Sequence, residues 1–334
     1  MKFLFYLSGE HRTLPKSEVN AVLAALGINY KIQYYKNRLL IVDADTKNYN
    51  FIDRLAMVKK SAEFIIKSDN LNEISDAVSK EINNKFPDAK SFAVRCTTLD
   101  DKKSLEIEKE IGGKIQGLSN LRVKLKNPDI MILCFTDDDM YFTGIDVKIQ
   151  AQKFDARKAQ HRPYFSPVSM HPKIARVLVN LARIKTGDVV LDPFCGTGGI
   201  LIEAGLMGMK VVGSDIDVRM VKGCKKNLGF YGVVGDIKKG DALNLKDTLP
   251  GKIDAIVTDP PYGRASYTSD KNLGEFYNNF LGSAKSVLEK GKFLVMVLPD
   301  EYELDFNSHG FEVFEFHDVR MHRSLTRRIW VLQR

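Results

Sequence analysis

The sequence is poor in cysteine and tryptophan, with four of the first and one of the second in 334 residues. Cys96, Cys134, Cys195 and Cys224 stand singly and no C-x-x-C occurs, so neither a zinc cluster nor a redox pair is signalled. At this length and spacing a disulfide framework is not expected either. A run of some 18 apolar residues, as a membrane-spanning helix needs, is missing. The opening MKFLFYLSGEHRTLP has an apolar run too short for a secretory signal and no small-residue cleavage site, so the cytoplasm is the expected location. Low-complexity tracts and internal repeats are also lacking. What is present is an apolar fraction of 44%, too high for a disordered chain. The length fits two domains or so. A net charge of +8 suits a polyanionic partner through counterion release at phosphates.

The pattern changes along the chain. FLFYLS reads as a buried strand, KSEVNAVLAALG as a helix stopped by Gly27, and YKIQYYKNRLLIVDAD as two strands about a tight turn near Asn37. NFIDRLAMVKKSAEFIIKS reads as a helix and then a strand. This β-α-β-β-α-β order predicts a ferredoxin-like module over residues 1–60. A second α+β module is expected over 61–147. Asp137, Asp138 and Asp139 fall between its last two strands and read as a turn rather than a metal site, since turns favour Asp. Residues 148–163, KIQAQKFDARKAQHRP, read as a basic linker, either a phosphate-contact stretch or a solvated connector. From 164 to 334 strands alternate with helices, which predicts an α/β domain with a mostly parallel sheet covered on both faces. Its last two strands follow without a helix between them, so one should run antiparallel. Ser169 is expected to cap a helix with Pro172 in its first turn.

Two motifs in this last domain carry chemistry. Asp192-Pro-Phe-Cys-Gly-Thr-Gly-Gly199 ends a strand and opens a helix, where ligands bind in doubly wound sheets. Gly196 and Gly198 allow close backbone approach. Asp215, about twenty residues on, ends the next strand and can accept both hydroxyls of a ribose. Leu201 occupies the third glycine position of the dinucleotide fingerprint, which argues against a pyrophosphate ligand. Asp192 would repel a pyrophosphate but suits an ammonium or sulfonium group, and S-adenosylmethionine has both. Asp241 follows a third strand and is placed either to bond an adenine amino group or simply to shape a loop.

The second motif is Asp259-Pro-Pro-Tyr262, at the end of a fourth strand. Consecutive prolines fix two φ angles and offer no N–H, so the turn is stiff. The Asp259 carboxylate and the Pro260 carbonyl form a pair of acceptors for an exocyclic NH₂, and Tyr262 can stack on the ring that carries it. An aromatic amine is a weak nucleophile because its lone pair is delocalised. Hydrogen bonds to both of its protons favour a pyramidal nitrogen, so catalysis is largely positioning and electrostatics.

At these residues the chain resembles the class I S-adenosylmethionine-dependent amino-methyltransferases with a Rossmann-like sheet, and most closely the archaeal tRNA guanine-10 N2-methyltransferase family. DPFCGTGGILIEAGLMG, SDID, GDA, TDPPYG, RPYFSPVSMHPKIARVLVNLARI and MHRSLTRRIWVL carry the resemblance from about Arg162 to Arg334. VKLKNPDIMILC is similar to the family's tRNA-gripping THUMP module. The resemblance implies S-adenosylmethionine held by Asp192, Cys195, Gly196, Thr197, Gly198, Asp215, Ile216, Asp241 and Ala242. It implies a guanine held by Asp259, Pro260 and Tyr262, with Pro261, Gly263, Arg264, His322, Arg323 and Ser324 about the target pocket. The base would be flipped from its stem at a cost of a few kcal/mol. One or two methyl groups would be transferred to guanine 10 of tRNA by a monomer; some relatives use a small activating subunit. Neither a metal nor a membrane enters this reading.

Rival readings separate on residues. Methylation at pyrimidine C5 needs a cysteine nucleophile, and Cys195 and Cys224 lie outside the target motif, as packing residues. Asp-Pro-Pro-Tyr does not distinguish guanine N2 from adenine N6, cytosine N4 or a protein glutamine; the basic charge and the THUMP-like half favour RNA. A guanine elsewhere in tRNA or in ribosomal RNA is the main alternative. A non-catalytic RNA-binding protein would have lost the glycine loop or Asp259.

Overall fold

The computed structural model describes the chain except residues 100–102, 150–151, 167–168, 249–250, 262–272, 303 and 323–324, and the backbone alone at 248, 321, 322 and 325. Its contacts form two compact units, neither a continuous stretch. The first takes residues 1–10, 28–53 and 58–150; the second takes 11–27, 54–57 and 151–334.

The first unit is one eight-stranded sheet. Strands β1 (Lys2–Leu7), β2 (Tyr30–Lys36), β3 (Leu39–Ala44), β4 (Val58–Ser68), β5 (Ser91–Thr98), β6 (Arg122–Val123), β7 (Ile130–Asp137) and β8 (Met140–Asp146) lie in the order β2-β3-β1-β4-β8-β7-β5-β6. The two expected modules, 1–60 and 61–147, therefore contribute to the same sheet. The turn expected near Asn37 is there, with Asn37 and Arg38 at φ 43° and 74°. Helices α2 (Leu71–Lys85) and α3 (Ser104–Leu118) cover one face through Ile74, Val78, Ile82, Ile107, Ile111 and Ile115. Asp138, at φ 53°, makes the β7–β8 turn. Asp137 is not solvated: it is buried and accepts from Tyr34 Oη at 3.2 Å and Asn37 Nδ2 at 2.7 Å.

The second unit is a seven-stranded sheet. It uses β9 (Val189–Asp192), β10 (Lys210–Asp215), β11 (Gly235–Lys239), β12 (Ile253–Thr258), β13 (Leu288–Pro299), β14 (Glu312–His322) and β15 (Leu325–Gln333), in the order β11-β10-β9-β12-β13-β15-β14. The pairings among β9 to β13 are parallel, and β15 runs antiparallel to both β13 and β14. The chain leaves β9 towards β10 on one side and reaches β12 on the other. That reversal of winding opens a crevice beyond the carboxyl ends of β9, β10 and β12.

Strand side chains alternate between two apolar layers. Val190, Val211, Val257 and Val295 pack with α4 (Pro172–Leu181), α5 (Gly199–Leu206) and α6 (Val218–Phe230). Leu191, Ile256, Leu294 and Met296 pack with α8 (Leu273–Val287), α7 (Leu245–Thr248) lying nearby in sequence order before β12.

Helix α1 (Leu14–Ala25), though N-terminal, belongs to this second unit, with Leu14 and Ala21 in the layer that holds α4. Its Glu18 is fully buried and accepts from Ala56 N, Met57 N and Asn180 Nδ2, each at 2.8 Å. Those bonds explain why the helix expected before β4 is only a 3₁₀ turn, Asn50–Arg54: the amides of residues 56 and 57 go to Glu18 instead of to carbonyls one turn back. The cap of α4 is His171, whose Nδ1 accepts from Lys173 N at 3.2 Å, and not Ser169. His171 adjoins Pro172 at the first helical position, and Ser169 lies too far upstream to reach a free amide of that turn. The basic stretch 148–163 is neither a solvated connector nor a phosphate-contact arm at its two buried arginines, Arg157 and Arg162. Arg157 and Arg176 share the buried Glu203 at 2.6 and 2.8 Å. Removing one partner of such a cluster costs about 3–5 kcal/mol.

Candidate active site

The glycine loop follows β9 and turns twice through left-handed backbone, at Gly196 (φ 49°) and Gly198 (φ 87°). A side chain on Gly198 would meet Cys224 Sγ at 2.9 Å, so this position excludes a Cβ by conformation and by space. Asn227 of α6, fully buried, donates to the Thr197 carbonyl and to the Tyr164 carbonyl at 3.0 Å each. It thus fastens the loop to the segment before α4. Thr197 Oγ1 lies 3.4 Å from Ser169 Oγ, which is where Ser169 is used. Cys195 and Cys224 are buried packing residues, as their place outside the target motif predicted. The Cys195 thiol is pushed up by its hydrogen bond with Cys224 and by burial.

Three carboxylates surround the crevice. Asp192, 2% exposed, accepts from Thr258 Oγ1 at 2.7 Å and Phe194 N at 3.1 Å, both on Oδ1. Burial outweighs those bonds and pushes its carboxyl up to about 7. Asp215 accepts from Gly196 N and Asp217 N, one on each oxygen at 2.9 Å. A carboxylate has about four acceptor sites, so both oxygens keep one for a diol. Burial raises its pKa as well. Ile216 follows, 67% exposed, an apolar face beside the diol acceptor. Asp241 caps the short 3₁₀ helix Ala242–Asn244 through Leu243 N at 2.9 Å, the loop-shaping role weighed for it; Ala242 is buried beside it.

Asp259 and Pro260 leave the end of β12. The Asp259 carboxylate meets Arg327 Nη1 of β15 at 3.1 and 3.4 Å. Burial raises it to about 6 against the pull of that arginine. Pro261 carbonyl accepts from Tyr277 Oη of α8 at 2.9 Å. The turn is therefore held from two sides, by β15 and by α8. Thr258 joins this motif to the glycine loop, since it precedes Asp259 and bonds Asp192.

Tyr262, Gly263, Arg264, Arg323 and Ser324 lie outside the described residues, as does the side chain of His322; its backbone pairs with Leu325 at the end of β14. Sequence reasoning missed Thr258, Tyr277, Asn227 and Arg327. Only Arg327 left a trace: two adjacent arginines inside the mostly apolar strand LTRRIWVLQ, which must point to opposite faces of the sheet.

The residues fit S-adenosylmethionine. A left-handed glycine loop, a buried carboxylate at its mouth for a cation, a diol acceptor and an exposed isoleucine for a purine ring are all present in one crevice. Among the described residues no helix is long and apolar enough to cross a membrane, and no group of three or more His, Cys, Asp or Glu could hold a metal.

The sequence matches the RMKL-like methyltransferase domain family over residues 159–329 and the THUMP domain family over 68–146. It is 38% identical to the tRNA (guanine(10)-N2)-dimethyltransferase of Methanothermobacter thermautotrophicus, over 100% of both chains. To the protein of the same name from Methanocaldococcus jannaschii it is 35% identical over 99% of both. The crystal structure of TrmN from Thermus thermophilus shares the fold, with a TM-score of 0.55 at 18% identity over 100% of both chains.

Proposed function

The chain belongs to the tRNA (guanine(10)-N2)-dimethyltransferase family, and on that premise we propose how its residues perform the reaction. It is an S-adenosylmethionine-dependent enzyme, and its substrate is the exocyclic amine of guanine 10 in tRNA. The observation that carries the assignment is the continuous path from the glycine loop through Asp192 and Thr258 to Asp259. It brings a cofactor crevice and an amine acceptor to adjacent strand ends.

S-adenosylmethionine, when bound, supplies an electrophilic methyl group on a sulfonium. Asp192 would face its cationic part, Asp215 would take the ribose hydroxyls and Ile216 would pack on the adenine. Asp259 and the Pro260 carbonyl accept the two protons of the target amine and aim its lone pair. Asp259 also stabilises the positive charge that develops on nitrogen. Tyr277, by holding Pro261, keeps the turn rigid while the base enters. Residues 68–146 supply the grip on tRNA that a pocket reading one base lacks. The working form is a cytoplasmic monomer, and two methyl groups are added in succession.

The test is labelled methyl transfer to an unmodified tRNA transcript, with nucleoside analysis. N2,N2-dimethylguanosine, absent when guanine 10 is replaced, is expected. Label at another guanine would move the target, and label appearing only with a small activating subunit would overturn the solitary monomer. Asp215→Ala should weaken cofactor binding by about tenfold or more, as loss of a charged hydrogen-bond acceptor does; an unchanged Kd would remove Asp215 from the site.

A further inference from the structure

The arginine at the target turn has no place in the amine chemistry just described. A carboxylate meant to accept an N–H of the amine gains nothing obvious from a guanidinium beside it. Three observations define what Arg327 does there. It approaches Asp259 through one nitrogen, Nη1, which reaches both carboxylate oxygens at 3.1 and 3.4 Å. This is not the fork of two parallel bonds that Arg forms when it saturates a carboxylate. Of roughly four acceptor sites, one nitrogen can occupy only a part. Arg327 also comes from β15, whose partner β13 lies between it and β12. Its position is thus set by strand register, with Arg327 opposite Pro299, and not by the loop after Asp259. Finally, the other titratable groups that face Asp259 among the described residues are Asp192 of β9 and Tyr277 of α8. One is an acid and the other a neutral hydroxyl, so Arg327 is the cation that opposes burial.

We propose that Arg327 is a positioning residue for Asp259: it keeps the part-buried carboxylate ionised and fixed in direction, while leaving acceptor sites on both oxygens for the incoming amine. Without it, burial and the nearby Asp192 favour a protonated Asp259. A protonated carboxyl presents an O–H where the amine brings its own hydrogens, so it repels the group it should bind. This role rests on the proposed function, but its central claim concerns two residues of the chain and can be read without a substrate.

The experiment uses the full chain with Arg327→Met and Arg327→Lys. The Asp259 carboxyl is titrated by ¹³C NMR, its signal assigned with Asp259→Asn, and kcat/KM for methyl transfer is measured against pH. In Arg327→Met, both the Asp259 midpoint and the acid limb of the rate profile should move up by about one to three pH units. The rate deficit should be about fivefold or more near pH 6 and small near pH 9. Arg327→Lys should return the midpoint towards the wild-type value. An unmoved midpoint with a rate deficit equal at every pH would overturn the proposal and leave Arg327 a structural residue. Should Arg327→Met fail to fold, Arg327→Gln carries the same test. A wild-type chain that transfers no methyl to tRNA would sink the functional reading, while the carboxyl titration would still decide the role of Arg327.

Discussion

Glu18 and Asp259 are both acids of the second unit, the first fully buried and the second part-buried, and they are treated in opposite ways. Glu18 is enclosed by α1, residues 54–57 and α4, and three donors at 2.8 Å fill its oxygens. Asp259 has one arginine nitrogen shared between two oxygens, and Asp192 has two donors crowded on one oxygen. Burial raises the pKa of all three. A saturated buried carboxylate joins elements of the fold. An unsaturated one, at the mouth of a crevice, is kept ready for a ligand.

The sharpest way to break this contrast is to remove the saturated acid. Glu18→Ala strands two backbone amides and one N–H of the Asn180 side chain, whose other N–H keeps the Arg54 carbonyl. It should cost about 3–5 kcal/mol, as breaking a buried charged network does. Thermal unfolding should show the transition of the second unit falling by many degrees. A melting curve like that of the wild type would mean that α1 is dispensable there. Deleting residues 1–160 removes the same joint. We expect that fragment not to unfold cooperatively, which sets a direct test for residues 164–334 as a domain.

Asp259→Ala should do the reverse. Methyl transfer should fall by about 10²–10³-fold, the usual loss when one preorganised electrostatic partner is removed. Melting should change little and cofactor affinity should be kept. Turnover within tenfold of the wild type would show that Asp259 does not touch the amine.

The smallest effect separates the acids by pH. The native state holds a proton on Asp192 up to about pH 7 and on Asp259 up to about pH 6, while the unfolded chain releases both near pH 4. Native chains therefore bind more protons across this window, and both acids take away stability as pH rises through it. Asp192→Asn keeps acceptance from Thr258 and Phe194 but removes the titration. It should melt above the wild type at pH 8 and equal it at pH 4. Parallel curves at both pH values would contradict a raised Asp192.

Much of this was legible in the sequence because it is local. The β/α alternation after Pro163 produces the parallel sheet, and its two final strands the antiparallel one. Gly196 and Gly198 announce left-handed backbone, and Asp259-Pro-Pro announces a stiff turn at a strand end. What was not legible depends on distant partners. The periodicity of α1 shows that it buries a face but not that the face meets α4. Nothing around Glu18 tells that residues 56 and 57 will spend their amides on it and cut a helix short. Arg327 and Asp259 are 68 residues apart and meet only because β13 and β15 pair in one register.

The scattered make-up of the second unit also has a consequence in time. Helix α1 leaves the ribosome about 150 residues before α4, its partner. At about 5–20 residues per second it must wait on the order of ten seconds for a surface to pack on. The eight-stranded sheet needs nothing beyond Asp146 and can close during that interval. The crevice cannot, because β15, the strand that brings Arg327 to Asp259, is made after the six other strands of its sheet. On the proposed division of labour, the tRNA grip assigned to residues 68–146 would therefore form during synthesis before the methyl-transfer site.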